Sequence, residues 1–213
     1  MSVCYIIAAG DCNSINIDKK DSDLIIAADK GLEYCHRDGI EPDVVIGDFD
    51  SLGYHPENKS VISLPVEKDD TDTSYAVKYA MNKGYKKFLI FGGTGGKRPD
   101  HTFANIALLS FISKNGGSGF LVSDNCTITA ITDSTIKFSA ELKGDISVFS
   151  FDTVSHGVTE TGLYYNYENS DVENCIVTGV SNSFTGQEST VSVKDGTLII
   201  YFSGNFSDCT IDK

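Results

Sequence analysis

The chain has 213 residues, 40% of them hydrophobic and 22% charged, so it can bury a sizeable core without disulfides. Its 30 acids against 17 bases give a net charge of −13, which excludes nucleic acid and a polybasic membrane anchor as partners, because both need a basic surface. Phosphate ligands stay open, since a divalent cation can bridge them to carboxylates.

The opening run Val3–Ala9 carries no basic residues ahead of it and reads as a first strand, not as a signal peptide. No apolar run approaches the roughly 20 residues of a membrane helix. The six cysteines, Cys4, Cys12, Cys35, Cys126, Cys175 and Cys209, are scattered without metal-ligand spacing. They are expected to be reduced thiols in a cytoplasmic protein.

Further strands are expected at Asp23–Ala28, Asp43–Ile46, Val61–Leu64, Lys87–Phe91 and Gly119–Val122, each short and almost continuously apolar. Helices are expected between them. Lys30–Arg37 runs toward Gly39. Asp72–Lys83 starts behind Thr71 as N-cap and stops at Gly84. His101–Lys114 carries Phe103, Ile106, Ala107 and Phe111 at helical spacing. This alternation predicts an α/β domain with a mostly parallel sheet and flanking helices over residues 1–127. From 128 to 213 Thr, Ser, Val, Ile, Tyr and Phe dominate, which predicts an all-β sandwich. Its strands are expected at Cys126–Ile131, Asp145–Phe151, Cys175–Val180, Thr190–Lys194 and Thr197–Phe202, the last two joined as a hairpin by Asp195-Gly196.

Three segments of the first half carry candidate chemistry, each at a predicted strand-to-helix turn. Gly47-Asp48-Phe49-Asp50-Ser51 places two carboxylates on one side of an extended segment, a pairing that a hard cation relieves. Glu67-Lys68-Asp69-Asp70-Thr71-Asp72 leads into a helix with more acids than capping needs. Gly92-Gly93-Thr94-Gly95-Gly96-Lys97-Arg98-Pro99-Asp100-His101 offers backbone N–H groups, two bases and a helix N-terminus to a phosphate. Asp100 suits either a helix cap or a metal, and Asp29, at another strand end, suits a cap or a nucleotide contact. All three turns belong to one edge of the sheet, where open α/β sheets bind ligands. Together they imply metal-assisted phosphoryl-type transfer or hydrolysis.

The series Ala27-Ala28-Asp29, Gly47-Asp48-Phe49-Asp50-Ser51, Lys68-Asp69-Asp70-Thr71-Asp72 and Gly-Gly…Asp100-His101-Thr102…Asn105-Ile106 resembles the thiamin pyrophosphokinase family. Gly162-Leu163-Tyr164-Tyr165 and Gly179-Val180-Ser181-Asn182 are similar to motifs of its second domain, so the resemblance covers nearly the whole chain. It implies transfer of a pyrophosphoryl group from ATP to the hydroxyl of thiamin, with Mg²⁺, in a homodimer whose thiamin sites are shared between subunits. It implies that Asp48, Asp50, Asp72 and Asp100 are the acidic site residues, with Asp50 and Asp72 on Mg²⁺. Asp29, the glycines 92, 93, 95 and 96, Lys97, Arg98 and His101 would meet the nucleotide. Asp69, Asp70 and Thr71 would contact phosphate or thiamin, and Ser181 and Asn182 the thiamin pyrimidine. The glycine–base segment is one residue longer than the family's usual Gly-Gly-Arg-x-Asp-His, which leaves Lys97 and Arg98 both as candidates for the arginine. The chain has no Trp, so ring stacking would fall to Tyr164, Tyr165, Tyr167 or Phe184.

Two other classes fit parts of the pattern. Asp48-Phe49-Asp50 is similar to the nucleophile motif of haloacid-dehalogenase phosphohydrolases, with Asp48 as nucleophile. That motif wants Thr or Val where Leu52 stands, and it wants the first strand. A non-catalytic binding module would leave the convergence of the three turns unexplained.

Overall fold

The computed structural model describes residues 2–48, 60–65 and 69–212. The chain divides into two compact units, residues 1–108 and 109–213.

The first unit is α/β. Its strands are β1 (Val3–Ile7), β2 (Leu24–Ala28), β3 (Val44–Gly47), β4 (Ser60–Ser63) and β5 (Lys87–Phe91), and its helices α1 (Gly31–Arg37) and α2 (Asp72–Asn82). All pairings are parallel, in the order β5–β1–β2–β3–β4. β2 and β3 are buried at every residue, which is why they read as unbroken apolar runs rather than alternating ones. The chain steps outward from β1 to β4 and then returns to the other side of β1 as β5. That reversal leaves a crevice beyond the carboxyl ends of β1 and β5. α2 begins where expected: Thr71 is extended and its hydroxyl accepts from the Ser74 N–H at 3.1 Å.

α3 (Pro99–Lys114) spans the division between the units. It starts two residues earlier than expected, with Pro99 in the first turn, where its missing N–H costs nothing. Its buried side is not the Phe103–Phe111 stripe that the sequence suggests. Leu108, Leu109 and Ile112 are buried, whereas Phe103 is 70% exposed.

The second unit is antiparallel β. β6 (Ser118–Val122), β7 (Cys126–Thr132), β9 (Asp145–Ser150), β12 (Asn182–Ser183) and β14 (Thr197–Ser203) pair in the order β6–β7–β14–β9–β12. β8 (Thr135–Phe138), β10 (Val154–Thr161), β11 (Ser170–Glu173), β13 (Ser189–Ser192) and β15 (Cys209–Asp212) form a second sheet, β11–β10–β13–β8–β15. Alternate residues of β14, Leu198, Ile200 and Phe202, join Ile136, Phe138, Val158 and Val191 of the second sheet in one apolar core. Phe138 packs edge-on against Phe202 at 5.1 Å and Phe184 at 5.3 Å between ring centroids.

Two expectations fail here. Cys175–Val180 is not a strand but a loop, with Ile176, Val177 and Val180 exposed. The Asp195-Gly196 turn does not close a hairpin, because β13 and β14 lie in different sheets. The turn carries the chain from one layer to the other, held by Gly196 N–H to Asp133 Oδ1 at 2.9 Å.

Candidate active site

A cleft of about 540 Å³ opens within the first unit at the crevice beyond β1 and β5. Its floor is the pair of turns that follow these strands. The Gly10 N–H donates to Gly92 O at 2.7 Å and the Asp11 N–H to Thr94 O at 2.8 Å. Each turn is also tied to a helix. The Tyr34 hydroxyl of α1 donates to Gly10 O, and the buried Asn105 amide of α3 donates to Gly93 O, both at 2.8 Å. Such bonds hold a backbone cradle in place before any ligand arrives.

Two positions in this floor exclude a side chain. A Cβ on Gly10 would stand 2.4 Å from Thr94 O and 2.6 Å from Gly92 O. Gly92 has φ +62°, and a Cβ there would stand 2.5 Å from Ala8 O. Gly10→Ala is therefore expected to force the two turns apart and cost about 2 kcal/mol or more, measured by urea unfolding.

The walls carry the charge. The N-terminal turn of α2 contributes Thr71, Asp72 and Thr73, and the N-terminal part of α3 with the residues before it contributes Lys97, Arg98, His101, Thr102 and Asn105. Two helix N-termini and the bases Lys97 and Arg98 suit this end to an anion, while Asp29, Glu33 and Asp72 place carboxylates in the same lining. Asp29 stands at the end of β2 with φ +49°, a left-handed conformation that Asp tolerates better than most residues.

Of the residues singled out in the sequence, Asp29, Thr71, Asp72, Gly92, Gly93, Gly95, Gly96, Lys97, Arg98 and His101 line this cleft together. Asp48 follows β3, and neither it nor Asp69, Asp70 or Asp100 is in the lining. Asp50 and Lys68 lie outside the described residues. Asp70 is gripped by Lys78 Nζ at 2.7 Å and by the Ser74 hydroxyl at 3.1 Å, with the Lys78 contact chiefly holding its carboxyl below the usual range. Asp100 takes the Arg98 guanidinium at 2.7 Å, which brings its pKa down to about 2. Asp100, in the first turn of α3, thus pairs with Arg98. Ala8, Ala9, Gly10, Lys30, Glu33 and Tyr34 also line the cleft and are absent from the sequence-based candidates. The Ala8-Ala9-Gly10 step directly after the first strand is the signal that points to the first three.

Among the described residues no group of three or more His, Cys, Asp or Glu side chains converges as a metal site. Magnesium bound with a nucleotide needs fewer protein ligands, because phosphate oxygens and water complete its shell around one or two carboxylates. Asp72, an oxygen donor facing a phosphate-suited cradle, fits that mode.

A family model described as "Thiamin pyrophosphokinase, catalytic domain" matches residues 16–118, and one described as "Thiamin pyrophosphokinase, vitamin B1 binding domain" matches residues 133–198. The thiamine pyrophosphokinase of Bacillus subtilis is 30% identical over 184 residues, covering 83% of this chain and 86% of that protein. The chain belongs to the thiamin pyrophosphokinase family. The crystal structure of the B. subtilis family member superposes with a TM-score of 0.83 at 28% identity, covering 97% of this chain and 100% of that one. Yeast thiamin pyrophosphokinase shares the fold, with a TM-score of 0.72 at 16% identity over 97% of this chain and 87% of that one. The hydrolase alternative falls away with this membership. Asp48 follows the third strand in chain order, inside the sheet between β2 and β4, and not the first strand that the dehalogenase motif requires.

Within the family's vitamin B1-binding segment, Ser181 has φ +57° and its N–H donates to the Ser147 hydroxyl at 3.1 Å. Asn182 is 6% exposed and uses its whole amide inside the chain. Its Oδ1 accepts from the Tyr165 and Ser183 N–H groups, and its Nδ2 donates to Tyr165 O and Glu160 Oε2. Tyr164 and Tyr165 stand beside it, 69% and 68% exposed, with rings 4.8 Å apart.

Proposed function

We propose that this chain transfers the pyrophosphoryl group of ATP to the hydroxyl of thiamin, giving thiamin diphosphate and AMP. The observation that carries this reading is the meeting of a glycine cradle, two helix N-termini, Lys97, Arg98 and Asp72 in one cleft of a family member. The backbone N–H groups of residues 92–96 with Lys97 and Arg98 would hold the polyphosphate in line for attack. Asp72, with Asp50, would hold Mg²⁺, which neutralises phosphate charge when bound. Asp48 and Asp29 would complete the acidic rim, with Asp69, Asp70 and Thr71 beside the phosphates or thiamin and His101 on the nucleotide.

In the reaction the thiamin hydroxyl oxygen bonds to the β-phosphorus and the bond from that phosphorus to the α–β bridging oxygen breaks, releasing AMP. The hydroxyl proton must pass to a base. Asp100, held by Arg98, and Asp72, assigned to Mg²⁺, are both paired with cations and are poor acceptors, so we assign both to charge placement, with the proton passing to water.

We take residues 1–127 as the nucleotide-binding part and 128–213 as the thiamin-binding part. We further infer a cytoplasmic homodimer in which Ser181 and the Tyr164–Tyr165 rings meet thiamin at the partner's α/β part. The exposed Tyr164, Tyr165 and Val177 of the second unit support a partner surface. No helix among the described residues is long and apolar enough to cross a membrane. The bond network of Asn182 favours a supporting role for it beneath Ser181.

The test is a turnover assay with ATP, Mg²⁺ and thiamin that follows both products. AMP and thiamin diphosphate should appear in equal amounts. ADP with thiamin monophosphate would mean attack at the γ-phosphorus instead, and orthophosphate without a thiamin product would mean hydrolysis.

A further inference from the structure

Glu160 is an anomaly in the second unit. It lies near the end of β10, is only 3% exposed, and sits at the edge of a core of aliphatic and aromatic side chains. Taking a carboxylate out of water costs several kcal/mol unless strong partners replace the solvent. The side chain that meets it is the neutral Asn182 amide, Nδ2 to Oε2 at 3.1 Å. A Leu would fill the position at no such cost, so the carboxylate calls for another explanation.

The explanation lies in the symmetry of an amide. The Asn side chain can enter the same space with its oxygen and nitrogen exchanged, and only its hydrogen-bond partners choose between the two. Here the choice matters. With Oδ1 placed as it is, the Tyr165 and Ser183 N–H groups both have an acceptor at 2.9 Å. Exchanged, both donors would face an NH₂ group and lose their acceptor in a part-buried setting. Glu160 completes the set: its carboxyl, ionised or not, offers an acceptor oxygen to the one Nδ2 hydrogen that Tyr165 O leaves over. From Asn182 the constraint spreads to both sides. Tyr165 O takes the second Nδ2 hydrogen at 2.6 Å, the Tyr164 N–H bonds Ser183 O at 3.0 Å, and Leu163 bridges Phe184.

We propose that Glu160 is a positioning residue for thiamin: by holding the Nδ2 end of the buried Asn182 amide it secures the placement of Tyr164, Tyr165 and Ser181. The inference rests on the reading above that these three residues meet thiamin.

The test is steady-state kinetics on the full-length enzyme with thiamin and ATP varied separately. Glu160→Leu, similar in size but unable to accept, should raise the thiamin KM tenfold or more. Its ATP KM and its kcat at saturation should stay within about threefold of the parent. Glu160→Gln keeps an acceptor oxygen and should hold the thiamin KM within about threefold. A Leu variant with an unchanged thiamin KM, or with both KM values raised alike, overturns the proposal. Should Glu160→Leu not fold, the pair Asn182→Asp and Glu160→Gln/Asn182→Asp replaces it. Asp at 182 cannot donate to Glu160 and should raise the thiamin KM, and Gln at 160 supplies the missing donor and should recover at least threefold of that loss. No recovery overturns the proposal. Tyr164→Ala and Ser181→Ala serve as the reference. If they move the thiamin KM and the Glu160 variants do not, only the positioning role is lost. If none of them moves it, the thiamin end itself is wrongly placed.

Discussion

Replacing Asp72 by Asn is expected to lower turnover of ATP and thiamin by about 10³-fold or more while leaving the fold in place. The two effects separate because Asp72 has two environments. As part of the first turn of α2 its charge interacts with the helix dipole, a contribution of no more than about 1 kcal/mol. As part of the cleft lining it is assigned to Mg²⁺, and metal stabilisation of the phosphate charge is worth several kcal/mol at the transition state. Asn is close to Asp in size and carries no charge, so packing is preserved. The comparison is kcat against the urea midpoint of the same preparation. A variant with turnover within tenfold of the parent removes Asp72 from the chemistry, whatever its stability.

Glu160→Gln is expected to stabilise the protein at pH 8 and not at pH 5, by a difference of about 2 kcal/mol. Burial pushes the Glu160 carboxyl up from 4.5 to about 7, against a smaller opposing pull from the Asn182 hydrogen bond. The folded state therefore binds this proton more tightly than the unfolded chain does. The resulting stabilisation is fully present below about pH 4.5 and is lost as pH rises through about 7, above which the folded protein carries a buried charge. The ionisable residues on the neighbouring strands, His156 on β10 itself, Asp171 and Glu173 on β11, and Glu188 and Lys194 flanking β13, pair elsewhere or leave this carboxyl's shift unchanged. Gln at 160 removes the titration, so the variant should gain on the parent across this window. Urea unfolding at both pH values, followed by tyrosine fluorescence in a chain without Trp, measures the difference. An equal offset at pH 5 and pH 8 would mean that Glu160 does not titrate there.

The first unit is the more legible half in the sequence, for a physical reason. Strands buried on both faces leave apolar runs such as Leu24–Ala28, and Thr71 ahead of Asp72 marks a helix start by a hydrogen bond that the sequence itself contains. The glycine segment and Asp72 are legible as site residues on the same grounds, since a cradle and a charged first turn are local features. Pairings made over distance are not. Nothing local in Asp195-Gly196 says that the strands on either side enter different sheets. Cys175–Val180 has the composition of a strand, yet its apolar side chains are exposed in a loop. β10 contains His156, Gly157 and Glu160, which hide a central strand of the second sheet. Likewise α3 buries Leu108, Leu109 and Ile112 and leaves Phe103 exposed, and helical spacing alone does not choose between those faces.

The layer change at Asp195-Gly196 also bears on how the second unit comes together in time. β13 settles between β8 and β10, and after the turn β14 settles between β7 and β9. One tight bend thus commits a strand to the middle of each sheet at once, and residues 209–212 then close on 135–138. Neither layer can be finished as a local meander while the other waits. Contacts so distant along the chain must be ordered before they are rewarded, and domains built this way fold slowly relative to those with near-neighbour contacts. During synthesis the strands 126–161 are therefore made well before their central partners exist. For that interval they present unpaired edges, which is when such a chain is most exposed to misassociation.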